Sequence, residues 1–125
     1  MEIKTSYFAQ LKKIYSMEGA VPIAICMYPP GWYKGVLYKE LAPCYEMITG
    51  MKNIETREFY TAEYLTKVLG RLKTGSVEKD IADIVERSGG AFAVLLCFEK
   101  PSDFCHRHLV AEWLGRDPAA AELVF

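Results

Sequence analysis

The 125-residue sequence lacks the features that mark membrane, secreted and repeat proteins. No apolar run approaches the roughly 20 residues that are needed to cross a bilayer. The N-terminal stretch MEIKTSYFAQLKKIY has no apolar core of a signal peptide. No repeat, linker or low-complexity segment interrupts the chain. We therefore expect a single domain over residues 1–125 that is cytoplasmic and makes no contact with a membrane.

A strong excess of either charge is also missing, since 15 basic and 16 acidic residues give a formal net charge of −1. Proteins that coat nucleic acid usually carry a large basic excess. Nucleic acid is therefore not indicated as the main partner, although this charge balance does not exclude a local basic patch. Apolar residues make up 51% of the chain and charged residues 25%, which is typical of a globular domain with its own core.

Signatures of metal and nucleotide cofactors are absent as well. The four cysteines, Cys26, Cys44, Cys97 and Cys105, form no C-x-x-C pair, whereas zinc sites usually have closely spaced ligand pairs. Without a secretion signal we interpret them as reduced thiols. The phosphate-binding patterns G-x-x-x-x-G-K-[ST] and G-x-G-x-x-G are missing too. We expect no cofactor and no metal, and keep a metal site of Cys97, Cys105 and a histidine as an alternative.

Apolar runs predict the strands of a sheet. The segments VPIAICMY (21–28) and AFAVLLCF (91–98) are continuously apolar, which favours strands that are covered on both faces. A shorter strand is expected within EIKTSY (2–7), and AELVF (121–125) is a candidate edge strand.

Helical spacing of apolar residues predicts helices between and after these strands. The alternation of the two kinds of element predicts an α/β fold, a small three-layer domain in which helices flank a short, mostly parallel sheet. The helices are expected over 8–15, after Pro43, over 56–72, from an N-cap at Ser76 to Gly89, and over 102–115 with Ser102 or Asp103 as N-cap and Gly115 at the end.

Unusual residues follow all three main strands at the point where each ends. In open parallel sheets, ligands bind in the crevice beyond the carboxyl ends of the strands. The candidate site residues are therefore Ser6 and Tyr7 after the first strand, Tyr28, Trp32 and Lys34 after the second, and Glu99, Cys105, His106 and Arg107 after the third.

The last helix directs its polar residues to different sides. At 100° per residue, His106 falls in the middle of the apolar arc and should point toward the sheet, with Cys105 and Arg107 on either side of it. His108 falls on the opposite face and should meet solvent. The first turn of a helix favours negative charge, so a thiol there beside an arginine is expected to have a lowered pKa.

Four motifs occur together in this chain: TSYF, YPPGWYKG, YKELAP and LLCFEKPSDFCHRHLVAEWL. In this order and over nearly the whole chain, they resemble the bacterial and archaeal family called domain of unknown function 488. In that family a C-x-E-x-P…C-H-R motif ends a strand and opens a helix. The resemblance implies the fold and the position of the site rather than a reaction, and the matching positions are Cys97, Glu99, Pro101, Cys105, His106 and Arg107.

The site residues have catalytic and structural interpretations. Cys105 is a candidate nucleophile or a small buried residue, and His106 is a candidate general base or a core histidine bonded to a carbonyl. Glu99 is a candidate second acid/base or orienting group. Arg107 suits a phosphate or carboxylate, or forms a salt bridge to Glu99. Cys97, at the end of a buried strand, is interpreted as structural unless it partners Cys105.

The loop YPPGWYKG offers a different kind of site. Tyr28 and Trp32 could stack on a base or sugar while Lys34 holds a phosphate, or Trp32 could pack back on the domain. Two functions follow: a pocket for a small anionic molecule, nucleotide-like or a phosphoester, with thiol-dependent catalysis if it is an enzyme, or a non-catalytic module that binds nucleic acid or protein. The C-x5-R loop of thiol phosphatases is missing. The sequence indicates no oligomeric state.

Overall fold

The computed structural model describes residues 1–43, 54–98 and 105–125, without the side chains of residues 54–57, 59 and 60. In this part of the chain four parallel strands form one sheet, and they are β1 (Ile3–Tyr7), β2 (Ala20–Ala24), β3 (Val36–Leu37) and β4 (Phe92–Cys97). The parallel α/β fold that the sequence predicts is confirmed. The order of the strands across the sheet is β1-β4-β2-β3.

Five α-helices accompany the sheet within the described ranges. They are α1 (Leu11–Tyr15), α2 (Ile54–Lys67), α3 (Thr74–Arg87), α4 (His106–Trp113) and α5 (Pro118–Ala121). No helix in these ranges is both long and apolar enough to span a bilayer. Three short 3-10 turns lie before α1, after β3 and after α2, over Phe8–Gln10, Lys39–Leu41 and Leu69–Arg71 respectively.

The sheet is buried on both faces, which explains why its strands are continuously apolar. Alternate residues of a strand point to opposite faces. On β4, Val94 and Leu96 pack with the residues of α1, whereas Leu95 and Cys97 pack with α2, α3 and α4. Helices on both sides of one sheet make the three layers that the pattern predicts.

Some predicted strand boundaries differ from the observed ones. Strand β2 ends at Ala24 rather than continuing to Tyr28, although the backbone of Ile25 still donates to the carbonyl of Leu96. The two-residue strand β3 was not predicted, since two residues are too few to show a pattern of apolar side chains that is typical of a strand. The predicted edge strand over 121–125 is wrong apart from a single bridge between Thr5 and Glu122. Helix α5 occupies the start of this region, and Asp117 caps it by accepting a hydrogen bond from the backbone of Ala119.

Two predicted helix starts are also wrong, although their ends are right. Helix α3 begins at Thr74 rather than after Ser76, since the backbone of Val77 already donates to Lys73. Helix α4 begins at His106, because Cys105 is extended, with φ −150° and ψ 145°, and is itself the N-cap residue. Neither Ser102 nor Asp103 can therefore be that cap. Positive φ angles at Gly89 and Gly115 end the two helices as predicted, and the helix predicted after Pro43 lies outside the described residues.

The carboxyl ends of β1, β4 and β2 lie side by side. Tyr7 and Cys97 are neighbours in register at the ends of β1 and β4, and the backbone of Ile25, just after β2, donates to the carbonyl of Leu96 at 3.1 Å. Helix α4 packs against β1 and β4. Its first turn is thereby held over this edge of the sheet.

Candidate functional site

The side chain of His106 is buried at the carboxyl edge of the sheet. Its Nε2 atom lies 2.6 Å from the carbonyl oxygen of Ile25, beyond the end of β2, and the ring lies 5.3 Å from that of Tyr64 between centroids. A carbonyl oxygen only accepts hydrogen bonds, so Nε2 carries a proton and donates it. The Nδ1 atom is then the nitrogen that can gain or lose a proton.

Two cysteine sulfurs meet at this Nδ1 atom. The Sγ atom of Cys97 lies 3.5 Å from it and 3.7 Å from Nε2 of the same ring, and that of Cys105 lies 3.7 Å from Nδ1. Both cysteines are buried and neither forms a disulfide. The two sulfurs and the histidine nitrogen all lie within 4.8 Å of one another. The fold thus brings together Cys97 and Cys105, eight positions apart in the sequence, which spacing alone did not predict.

The two thiols have opposite tendencies to ionise. Burial raises the pKa of Cys105, but the neighbouring Cys97 thiol and the positive charges of His106 and Arg107 outweigh it and hold that pKa well below its usual range. Burial and the neighbouring Cys105 raise the pKa of Cys97. The surroundings therefore favour ionisation of Cys105 and disfavour ionisation of Cys97.

The donor atoms of this cluster are also of a kind that binds metal ions. Two thiol sulfurs and an imidazole nitrogen suit zinc or copper. Structural zinc sites use four ligands. No fourth cysteine, histidine or carboxylate joins the three within the part of the chain that the structure describes.

Arg107 is held by an acidic partner that the sequence did not indicate. Its fully buried guanidinium donates two hydrogen bonds to the carboxylate of Glu122, at 3.0 Å and 3.1 Å. Glu122 also accepts a hydrogen bond from the Thr5 hydroxyl at 2.6 Å and contacts His108 Nε2 at 3.3 Å. The bonds from His108, Arg107 and Thr5 outweigh desolvation and lower the pKa of Glu122 to about 2. This network ties the first turn of α4 to β1 and to the C-terminal segment.

The last two residues of β1, Ser6 and Tyr7, point to opposite faces of the sheet at its carboxyl edge. Tyr7 shares the face of Cys97, and its ring lies 5.8 Å from the guanidinium carbon of Arg107. Ser6 pairs in register with Leu96 and therefore faces the α1 side. The Ser6 hydroxyl is buried and has no hydrogen-bond partner among the described residues.

The predicted loop residues are exposed, unlike the buried cluster of Cys97, Cys105 and His106. Tyr28 and Trp32 are 67% and 59% exposed, and Lys34 is exposed as well. The ring of Trp32 meets Phe8 edge to face at 6.4 Å, which places it on the α1 side of the sheet. An open groove of about 500 Å³ there is lined by Phe8, Ala9, Leu11, Lys12, Tyr15, Trp32 and Lys34.

Several predictions about the site had a different outcome or remain open. His108 was expected to face solvent, yet its side chain is only 25% exposed because it contacts Glu122. Glu99, and with it the predicted Arg107–Glu99 salt bridge, lies outside the described residues. Sequence reasoning missed Glu122 and Thr5, since an isolated carboxylate near the C-terminus and a strand threonine carry no recognisable signal.

A comparison with protein families identifies the chain. It matches the family model DUF488-N3a, described as the active DUF488-N3 subclade, over residues 7–117. No curated protein and no solved structure matches it significantly. The matched range extends from Tyr7 through both clustered cysteines, His106 and Arg107, whereas Glu122 lies just beyond it. The match covers most of the sequence, and the chain therefore belongs to the DUF488 family.

Proposed function

We propose that this protein is a thiol-dependent enzyme that acts on a small anionic substrate, nucleotide-like or a phosphoester, with Cys105 as its nucleophile. The observation that carries the proposal is the convergence of the Cys97 and Cys105 sulfurs on His106 Nδ1, at 3.5 Å and 3.7 Å. The description of the matched family model as an active subclade agrees with it.

The position of Cys105 supports its role as the nucleophile. A thiolate is the reactive form of cysteine, and a site with positive charges and a hydrogen-bond donor increases its fraction. Cys105 immediately precedes the first turn of α4, next to His106 and Arg107, and its sulfur lies within 4.8 Å of that of Cys97. Its extended backbone places the side chain at the N-terminus of the helix, where the dipole also favours negative charge.

The position of His106 supports its role as the proton partner. Its Nδ1 atom lies within reach of the Cys105 sulfur, while its Nε2 atom is anchored on the carbonyl of Ile25. A ring that is fixed at one nitrogen can take a proton at the other and return it to a leaving group without turning. Glu99 completes the proposed catalytic set as a second acid/base, although it lies outside the described residues.

The charge of the surroundings supports an anionic substrate. The first turn of α4 contains His106, Arg107 and His108 and no acidic residue. Its backbone N–H groups and dipole favour bound anions. The guanidinium of Arg107 is occupied by Glu122, so we assign its contribution to the local field and to its backbone rather than to a free side chain. Tyr7, which lies beside Arg107, completes this face.

A protection experiment tests this function. We expect iodoacetamide to modify Cys105 of the native protein, and adenosine 5′-monophosphate and inorganic phosphate to slow that modification. Uncharged adenosine is the matched control and should protect much less. In the Cys105→Ser variant the iodoacetamide-modified peptide at position 105 should be absent. Equal protection by adenosine and its monophosphate would contradict an anion site, and an unreactive Cys105 would contradict the enzyme.

A second candidate function is the binding of single-stranded nucleic acid by the loop over 28–35. The exposed rings of Tyr28 and Trp32 and the groove that includes Lys12 and Lys34 favour it, because stacking rings beside basic groups bind bases and phosphates. A gel shift should then weaken steeply with salt and be lost in Trp32→Ala, while Cys105→Ser binds normally. No shift at low salt would remove this candidate.

A further inference from the structure

We propose that Cys97 is a second reactive thiol, which resolves a mixed disulfide formed at Cys105, so that the site also exchanges thiols with small anionic disulfides. The inference rests on the proposed function in one respect, because it requires Cys105 to be the nucleophile. It adds thiol–disulfide exchange as an activity and Cys97 as a reactive residue. Neither is needed for a reaction on a phosphoester or a nucleotide.

The placement of the two sulfurs carries the proposal. They lie within 4.8 Å of each other and share one histidine nitrogen. A disulfide needs a sulfur–sulfur distance of about 2.05 Å, so one side chain must move toward the other. Cys105 is extended and lies outside helix α4. Rotation of its side chain therefore does not disturb the helix, whereas Cys97 is fixed at the end of β4.

The exchange takes place in two steps that balance. In the first, the Cys105 thiolate attacks one sulfur of the disulfide, a Cys105 mixed disulfide forms, and the displaced thiolate takes a proton from His106 Nδ1. In the second, the Cys97 thiol gives its proton to Nδ1 and attacks the Cys105 sulfur. The second substrate thiolate leaves with that proton. The substrate disulfide is reduced to two thiols, and the protein dithiol is oxidised to a Cys97–Cys105 disulfide.

The surroundings of Cys97 set the order of the steps. Cys97 is 1% exposed and Cys105 2%, so exposure does not separate them, but Cys97 is fixed at the end of β4 whereas Cys105 lies outside helix α4. The Cys105 thiolate helps to raise the pKa of Cys97. Once Cys105 is part of a mixed disulfide its negative charge is gone, and Cys97 loses its proton more readily. Cys97 thus stays a thiol until there is an adduct to resolve.

The test uses the full-length reduced protein and oxidised glutathione as the probe, with intact-mass and peptide mass spectrometry after an acid quench. In the wild type we expect a loss of two hydrogens, mapped to a Cys97–Cys105 disulfide, with little glutathione adduct. In Cys97→Ser we expect the adduct to persist on Cys105, and in Cys105→Ser we expect neither product. Cys26→Ser is the matched control, since Cys26 is buried with α1 on the other face, and it should behave as the wild type does.

The outcomes separate this inference from the proposed function. A glutathione adduct that persists equally in the wild type and in Cys97→Ser would overturn the role of Cys97 and leave Cys105 as a nucleophile. No adduct and no disulfide in any variant would overturn both. If Cys97→Ser does not fold, as judged by circular dichroism, the wild-type peptide map decides alone: a Cys97–Cys105 disulfide supports the inference, and its absence contradicts it.

Discussion

The Nε2 atom of His106 donates a hydrogen bond to the carbonyl oxygen of Ile25, at 2.6 Å. This one contact determines what the ring can do at its other nitrogen. Because Nε2 keeps its proton, Nδ1 alone exchanges a proton with the sulfurs of Cys97 and Cys105. A buried histidine that would otherwise be a structural feature of the core is thereby oriented toward two thiols.

Replacement of His106 by glutamine should remove the charge that stabilises the Cys105 thiolate. We expect the rate of iodoacetamide modification of Cys105 at about pH 7 to fall by at least about tenfold, since each unit of pKa changes the thiolate fraction by up to tenfold. His108→Gln is the matched control, because His108 contacts Glu122 and not the sulfurs. Equal rates in His106→Gln and His108→Gln would contradict the role of His106.

Replacement of Glu122 by glutamine should destabilise the protein strongly. The change leaves the fully buried guanidinium of Arg107 without its carboxylate, and breaking a buried ion pair in this way costs about 3–5 kcal/mol. The free energy of unfolding, measured in urea, checks it. Glu112→Gln, at an exposed position of α4, should change stability by no more than about 0.5 kcal/mol. A similarly small effect of Glu122→Gln would show that the network does not stabilise the fold.

The same carboxylate should make stability depend on pH in the acid range. The pKa of Glu122 is about 2 in the folded protein against an ordinary value of 4.5. Its contribution to stability is therefore present above about pH 4.5 and is lost as the pH falls toward 2. Urea unfolding of wild type and Glu122→Gln across this range should show the difference between them shrinking as the pH falls. A difference that stays constant would refute this linkage.

Replacement of Tyr64 by phenylalanine should lower the stability of the protein without changing the reactivity of Cys105. The Tyr64 hydroxyl donates to the carbonyl of Leu41 at 2.6 Å, and its ring lies against His106. Loss of the hydroxyl leaves a buried carbonyl with a bond fewer, so we expect about 1–2 kcal/mol less stability. The phenyl ring keeps the contact with His106, so Cys105 should react with iodoacetamide as in the wild type. A parallel loss of reactivity would make Tyr64 part of the chemical site.

Much of the fold follows from local patterns in the sequence. The continuous apolarity of β2 and β4 predicts strands covered on both faces, because such strands have no solvent face to alternate with. The angular position of His106 predicts that it points inward, since the apolar arc of α4 must face the sheet. Gly89 and Gly115 mark helix ends because their backbones adopt positive φ.

The contacts of the site could not be predicted in the same way. Glu122 pairs with Arg107 and Thr5, which lie 15 and 117 residues away from it in the sequence, and no local pattern encodes such contacts. Whether Cys97 meets Cys105 depends on where β4 ends relative to the first turn of α4. The start of α4 was misplaced because Ser102 and Asp103 are good N-cap residues by type, whereas the extended backbone of Cys105 excludes both.

The central claim is that Cys105 is held as a thiolate by its neighbours, and the pH dependence of its alkylation tests this most directly. The rate of iodoacetamide modification of each cysteine would be followed by mass spectrometry, with protein that has been assayed for bound metal. We predict that the Cys105 rate is already at its plateau well below the free-thiol pKa of about 8.5, and that Cys97 reacts far more slowly. A Cys105 rate that rises only at alkaline pH would contradict the account, as would a stoichiometric metal ion that blocks the reaction.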